Sequence, residues 1–152
     1  MPPRATTDAL IRMRQADEQE AMRALGRARD GVGRARAAHE QAVAARAALT
    51  ERLQRLHAAT ARTAGQLGQR DHYRAQLRAQ LDGAGERVQA TARALREATR
   101  ALAAAQTEVE LALRAREAAE AQRDTDDKTE ARKRERRDQA ASDDRWRPPR
   151  RS

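Results

Sequence analysis

A chain of 152 residues with one Trp, one Tyr and no Phe cannot fill the interior of an ordinary globular domain, although its length allows one. Ala, Arg, Glu and Gln dominate; they build helices, and a sandwich or an α/β sheet does not suit them. No cysteine is present, which excludes disulfides and thiolate metal sites, and the net charge of +9 raises the question of an anionic partner.

The apolar runs, such as Ala101 to Ala105, are far shorter than the roughly 18 residues of a membrane span. Met1-Pro2-Pro3-Arg4 lacks the apolar core of a signal peptide, so a soluble, non-secreted or leaderless protein is the expectation. Residues 1–70 carry 13 Arg against 7 acids, residues 71–123 carry 9 against 8, and residues 124–152 carry 10 basic groups against 8. The excess therefore sits early in the chain. Thirty of the 32 basic residues are Arg, and a GC-rich genome produces such an Arg and Ala bias as readily as selection for phosphate binding does.

In chain order, residues 1–7 with Pro2 and Pro3 read as a disordered lead, and Thr7 or Asp8 can cap a first helix over 8–64. Its heptads place Leu25, Val32, His39, Arg46 and Leu53 at a, and Ala21, Ala28, Ala35, Ala42, Leu49 and Leu56 at d. Gly65 and Gly68 bracket Gln66-Leu67 and Asp71 can cap the next helix, which predicts a turn over 65–71. A second helix over 72–123 carries the more regular repeat. Leu81, Val88, Leu95, Leu102 and Val109 fall at a, with Ala84, Thr91, Ala98, Ala105 and Ala112 three residues later at d.

Large residues at a with alanine at d make a thin seam that demands close approach of a partner helix. The fold expected is all-α, an elongated antiparallel two-helix coiled-coil hairpin spanning residues 8–123, on the order of 80 Å long. Residue i should lie opposite roughly 133 minus i. The apolar heptads end at Ala119, where Arg116, Arg123 and Asp126 replace apolar residues. Residues 124–152 then form a charged helical extension, Lys128 to Arg137 with no apolar face, and a disordered tail bearing Trp146. Gly26, Gly31, Gly33, Gly83 and Gly85 each weaken their helix by about 1 kcal/mol relative to Ala.

Catalytic chemistry has little to stand on. His39, His57 and His72 make no metal-ligand pair on one helical face, and Gly31-Val32-Gly33 and Gly83-Ala84-Gly85 lack the third glycine of a dinucleotide fingerprint. Two serines and no cysteine leave almost no nucleophile, and a two-helix hairpin has no pocket to keep water from one. No enzyme, metal site or cofactor is expected. Nucleic-acid recognition is disfavoured because Arg and Glu are interspersed and no aromatics are placed to stack bases.

Several features combine over nearly the full length: Leu10-Ile11 opening a long basic helix, a glycine-marked turn, and Tyr73 followed by Leu77 and Leu81. A charged extension comes next, through Arg137-Asp138-Gln139-Ala140-Ala141 to Asp143-Asp144-Arg145-Trp146. Together they resemble the FliJ/YscO family, the central-stalk proteins of type III secretion and flagellar export, including the Hrp branch of plant-associated bacteria. The resemblance implies a cytoplasmic protein at the base of a membrane secretion apparatus, with no membrane insertion. It implies a protein that inserts the terminal end of its hairpin into a hexameric secretion ATPase, contacts the export-gate protein near the turn and handles free secretion chaperones. Leu77, Leu81, Ala84 and Val88 match the family's apolar spacing after the turn, and Leu49, Leu53 and Leu56 match the facing helix. The family often shows aromatics there, where this chain has only Tyr73, a candidate docking anchor. Two other readings stand beside this one: a self-associating coiled-coil scaffold, and a basic nucleic-acid-binding protein.

Overall fold

A computed structural model describes residues 3–149. The chain is an all-α hairpin of two long helices packed against each other, α1 (Arg4–Ala58) and α2 (Ala64–Trp146), with no strand among the described residues. It divides into two compact units.

In the first unit, α1 up to Met22 packs on α2 from Glu108 onward. Thr7, Ile11, Arg14, Glu18 and Ala21 are drawn from solvent on α1, at alternating spacings of four and three. Val109, Ala112, Arg116, Ala119 and Arg123 answer them on α2. Ile11 and Ala119 are buried. The seam therefore runs past the last apolar heptad, because ionic layers replace apolar ones. Arg116 donates from Nε to Glu18, and its Nη1 lies 3.0 Å from both Glu120 carboxylate oxygens. Those hydrogen bonds, to Glu120 first and Glu18 second, raise the guanidinium's already high pKa. Arg123 Nη1 stands 3.3 Å from Asp8 Oδ1.

Thr7 is buried and Asp8 faces Arg123, so neither caps α1. The helix begins at Arg4, where the Thr6 and Thr7 N–H groups donate to the Pro3 carbonyl at 2.8 and 3.3 Å. This corrects the expected 1–7 lead, of which Met1 and Pro2 lie outside the described residues. Nor does α2 stop at 123. It runs to Trp146, and residues 131–149 are all exposed. Intrahelical contacts along it, such as Gln122 to Asp126 at 2.9 Å and Lys133 to Glu130 at 3.4 Å, supplement strong helix formers. The expected tail beyond Pro149 lies outside the described residues.

In the second unit, Arg23–Thr107, Leu25, Ala42 and Leu77 are buried, all at predicted a or d positions or at their continuation. Val32, Ala35, Leu49, Leu53 and Leu56 of α1 are half-buried, as are Leu81, Val88, Leu95, Ala98 and Leu102 of α2. His39 occupies its a layer and meets Thr91, Nδ1 to Oγ1 at 3.1 Å. The Thr91 hydroxyl also lies 2.9 and 3.0 Å from the Arg87 and Val88 carbonyls. Arg46 alone among the predicted a positions stays exposed. A guanidinium without a carboxylate partner has no reason to enter an apolar layer.

The expected register is close. Glu18 faces Arg116 where residue 115 was expected, Asp8 faces Arg123 where it was 125, and His39 faces Thr91 where it was 94.

Candidate docking surface at the turn

The connection differs most from expectation. Helix α1 ends at Ala58, residues 59–63 link it to α2, and Gly65, Gly68 and Asp71 lie inside α2 rather than in a turn. No glycine has a positive φ among the described residues. The cause is a capping box that outcompetes the glycines. Thr63 Oγ1 accepts from the Gln66 N–H at 3.2 Å, and the Thr63 carbonyl accepts from the Leu67 N–H at 3.0 Å. The Gln66 side-chain oxygen reaches one residue further back than in the usual box and accepts from the Arg62 N–H at 3.0 Å. At the end of α1, Arg70 Nη2 donates to the otherwise orphaned His57 carbonyl at 3.0 Å, placing a cation at the negative end of the helix dipole.

By the register of the His39–Thr91 pair, Ala58 ends at about the level of Tyr73. Helix α2 begins nine residues before Tyr73, about 14 Å further along. Five nearly extended residues reach at most about 17 Å, so the connection must climb along the first two turns of α2. Its Ala59, Thr60 and Ala61, with Leu56 of α1, form one wall of a groove of about 400 Å³. Gln66, Gln69, Arg70 and Tyr73, one face of α2, form the other.

The residues expected to dock a partner separate here into two groups. Leu77 is only 2% exposed, and Leu49, Leu53, Leu56, Leu81, Ala84 and Val88 are half-buried in the seam. Tyr73 is 45% exposed and lines the groove. Leu67, an a position that has run beyond the end of α1, is 49% exposed but does not line the groove. The seam residues hold the helices together, and the surface they support is presented by Tyr73 and the connecting segment. Sequence reasoning missed the connecting segment and Arg70. The available signal was Thr63-Ala64-Gly65-Gln66, a capping-box spacing that places the helix start before both glycines.

No protein-family model, curated protein or solved structure matches this chain.

A second concavity of about 470 Å³ lies beside the exposed Arg46, which lines it together with Val43, Ala47, Thr50, Glu51, Gln54 and Val88. Among the described residues no group of three His, Cys, Asp or Glu could hold a metal ion, and no helix is long and apolar enough to cross a membrane.

Proposed function

We propose that this chain is the central stalk, or coupling subunit, of a type III secretion or flagellar-type export ATPase, working in the cytoplasm at the base of the secretion apparatus. The observation that carries the reading is an intramolecular two-helix hairpin whose α2 outruns its partner. Asp8 meets Arg123 close to the start of α1, Pro3 and Arg4 share a groove with Asp126 and Glu130, and from residue 131 α2 continues exposed to Trp146. A shaft turning within a ring must be slender and must lack apolar patches that would trap it against one subunit. The extension meets that demand, with Lys128, Arg132, Lys133, Arg134, Arg136 and Arg137 offset by Glu130 and Glu135. Exposed ion pairs are each worth roughly 0–1 kcal/mol, so contacts between this helix and successive acidic loops of a hexameric ATPase can be exchanged as the ring turns over nucleotide. The export-gate protein would meet the surface at the turn, and free secretion chaperones are further candidate partners.

The test is the ATP hydrolysis rate of the secretion ATPase from the same organism, with and without this protein, at physiological salt and with excess DNA as competitor. Stimulation that survives the DNA is expected. No stimulation together with no co-elution would refute the proposal.

A further inference from the structure

From Arg52 to Arg70 the chain contains no Asp or Glu but carries Arg52, Arg55, Arg62 and Arg70, and no other acid-free run in the sequence is as long. Elsewhere acids and bases alternate closely. This run is the part of the chain that folds into the end of α1, the connecting segment and the start of α2, so the groove beside Tyr73 is lined without a single carboxylate. The nearby acids are engaged elsewhere: Glu51 holds Arg55 at 2.6 Å, and Asp71 stands 3.8 Å from Arg74 in a separate groove with Arg78 and Asp82.

Two side chains offer donors to the groove. Gln66 has its side-chain oxygen engaged by the Arg62 N–H, which leaves its NH₂ group to donate. Arg70 contributes one Nη2–H to the His57 carbonyl and its Nε is buried out of reach of a ligand, which leaves the end of the guanidinium to donate. The remaining N–H groups of a guanidinium suit a carboxylate, which accepts charge-assisted hydrogen bonds from them. Leu56 and Tyr73 supply apolar walls beside it.

We propose that this groove receives an acidic protein segment in which a carboxylate sits beside a bulky apolar side chain, the carboxylate meeting Arg70 and Gln66 and the apolar group packing on Leu56 and Tyr73. The proposal rests on reading the turn as a docking surface and gives that surface its chemistry. Charge complementarity selects the occupant, and the apolar walls select protein over nucleic acid. A strand of phosphates would need a continued track of donors and several aromatics to stack bases, and Tyr73 is the one aromatic present here.

Panning a random peptide display library on the full chain at physiological salt tests this directly, with the Thr60→Glu variant as counter-target. Thr60 is exposed in the connecting segment, so the variant places a carboxylate in the groove without removing a helix contact, and circular dichroism verifies its fold. The recovered peptides should be enriched in Asp or Glu next to Leu, Ile or Phe. They should bind Thr60→Glu and Tyr73→Ala at least about tenfold more weakly than the unaltered chain. Recovery of no peptides, of peptides without acidic enrichment, or of peptides that bind Thr60→Glu equally well would overturn the proposal. So would displacement of the peptides by a single-stranded oligonucleotide at lower concentration than by free peptide. Any of these results alongside intact ATPase stimulation would remove this inference alone and leave the stalk reading standing.

Discussion

Replacing Gly26, Gly31, Gly33, Gly83 and Gly85 together by Ala should stabilise the unit that contains them by roughly 3–5 kcal/mol. All five lie within α1 or α2, and none has a positive φ. A Cβ built at each finds no atom within 4 Å outside its own local helix, so a methyl group meets no obstruction. Because the added methyl touches nothing across the fold, the effect comes from the unfolded chain, whose backbone freedom is reduced, and from better shielding of the helix backbone. Each site is then worth about 0.5–1 kcal/mol. Against a typical total stability of about 5–15 kcal/mol this is a large change. Urea unfolding followed by helical circular dichroism reads it as an upward midpoint shift of roughly 2 M if the slope is near 2 kcal/mol/M, with the slope unchanged. A total gain below about 1 kcal/mol, or a fall in the slope, would refute the argument. It would mean that at least one of these glycines permits a bend or a close approach that alanine cannot.

Leu77→Ala should destabilise the hairpin by about 2–4 kcal/mol, since the side chain is 2% exposed, while Leu111→Ala, at 52% exposure, should stay within about 0.5 kcal/mol; urea unfolding compares the two. Arg46→Leu should put an apolar side chain into the a layer in place of the exposed guanidinium and raise stability by about 1–2 kcal/mol in the same assay. Thr63→Ala removes the cap of α2 and should cost about 1 kcal/mol, with faster amide hydrogen exchange at Gly65 to Leu67 as its local signature. Glu18→Arg should lower the melting temperature, and combining it with Arg116→Glu should recover part of the loss; no recovery would mean that the two side chains do not pair across the seam.

The seam was legible because heptad spacing is a direct consequence of helix geometry. Leu81, Val88, Leu95 and Leu102 fall on the partner side whatever else the chain does. The polar layers were legible only as interruptions. Arg116 and Arg123 looked like the end of the seam because a one-dimensional pattern cannot show that Glu18 and Asp8 wait opposite. The turn was misplaced for a related reason. Glycine marks helix ends when a left-handed residue is needed, but here the end of α1 is closed from across the chain by Arg70 and the start of α2 by Thr63 and Gln66, so Gly65 and Gly68 remain helical. The candidate docking residues divided along the same line. Leu77 and its neighbours followed from periodicity, whereas the groove beside Tyr73 depends on how far α2 overshoots α1, which only the cap positions determine.

The interrupting layers also bear on the choice between one hairpin and two chains pairing. A thin seam of leucine and alanine would serve many partners equally, and the same heptads could join two copies of α2 in parallel. In that arrangement Arg116 would face Arg116 and Arg123 would face Arg123, while a parallel pair of α1 helices would set Glu18 against Glu18. Each like-charged layer would sit half-buried between helices, where water screens it poorly. The antiparallel fold of one chain brings Arg116 to Glu18 and Arg123 to Asp8, and it gives His39 the Thr91 hydroxyl. Charged layers within a seam do little for net stability but penalise every alternative register and partner that leaves them unmatched. Such a seam favours the intramolecular hairpin over a self-associating scaffold, and it leaves the exposed part of α2 beyond Glu130 free of any helix of its own chain to pair with.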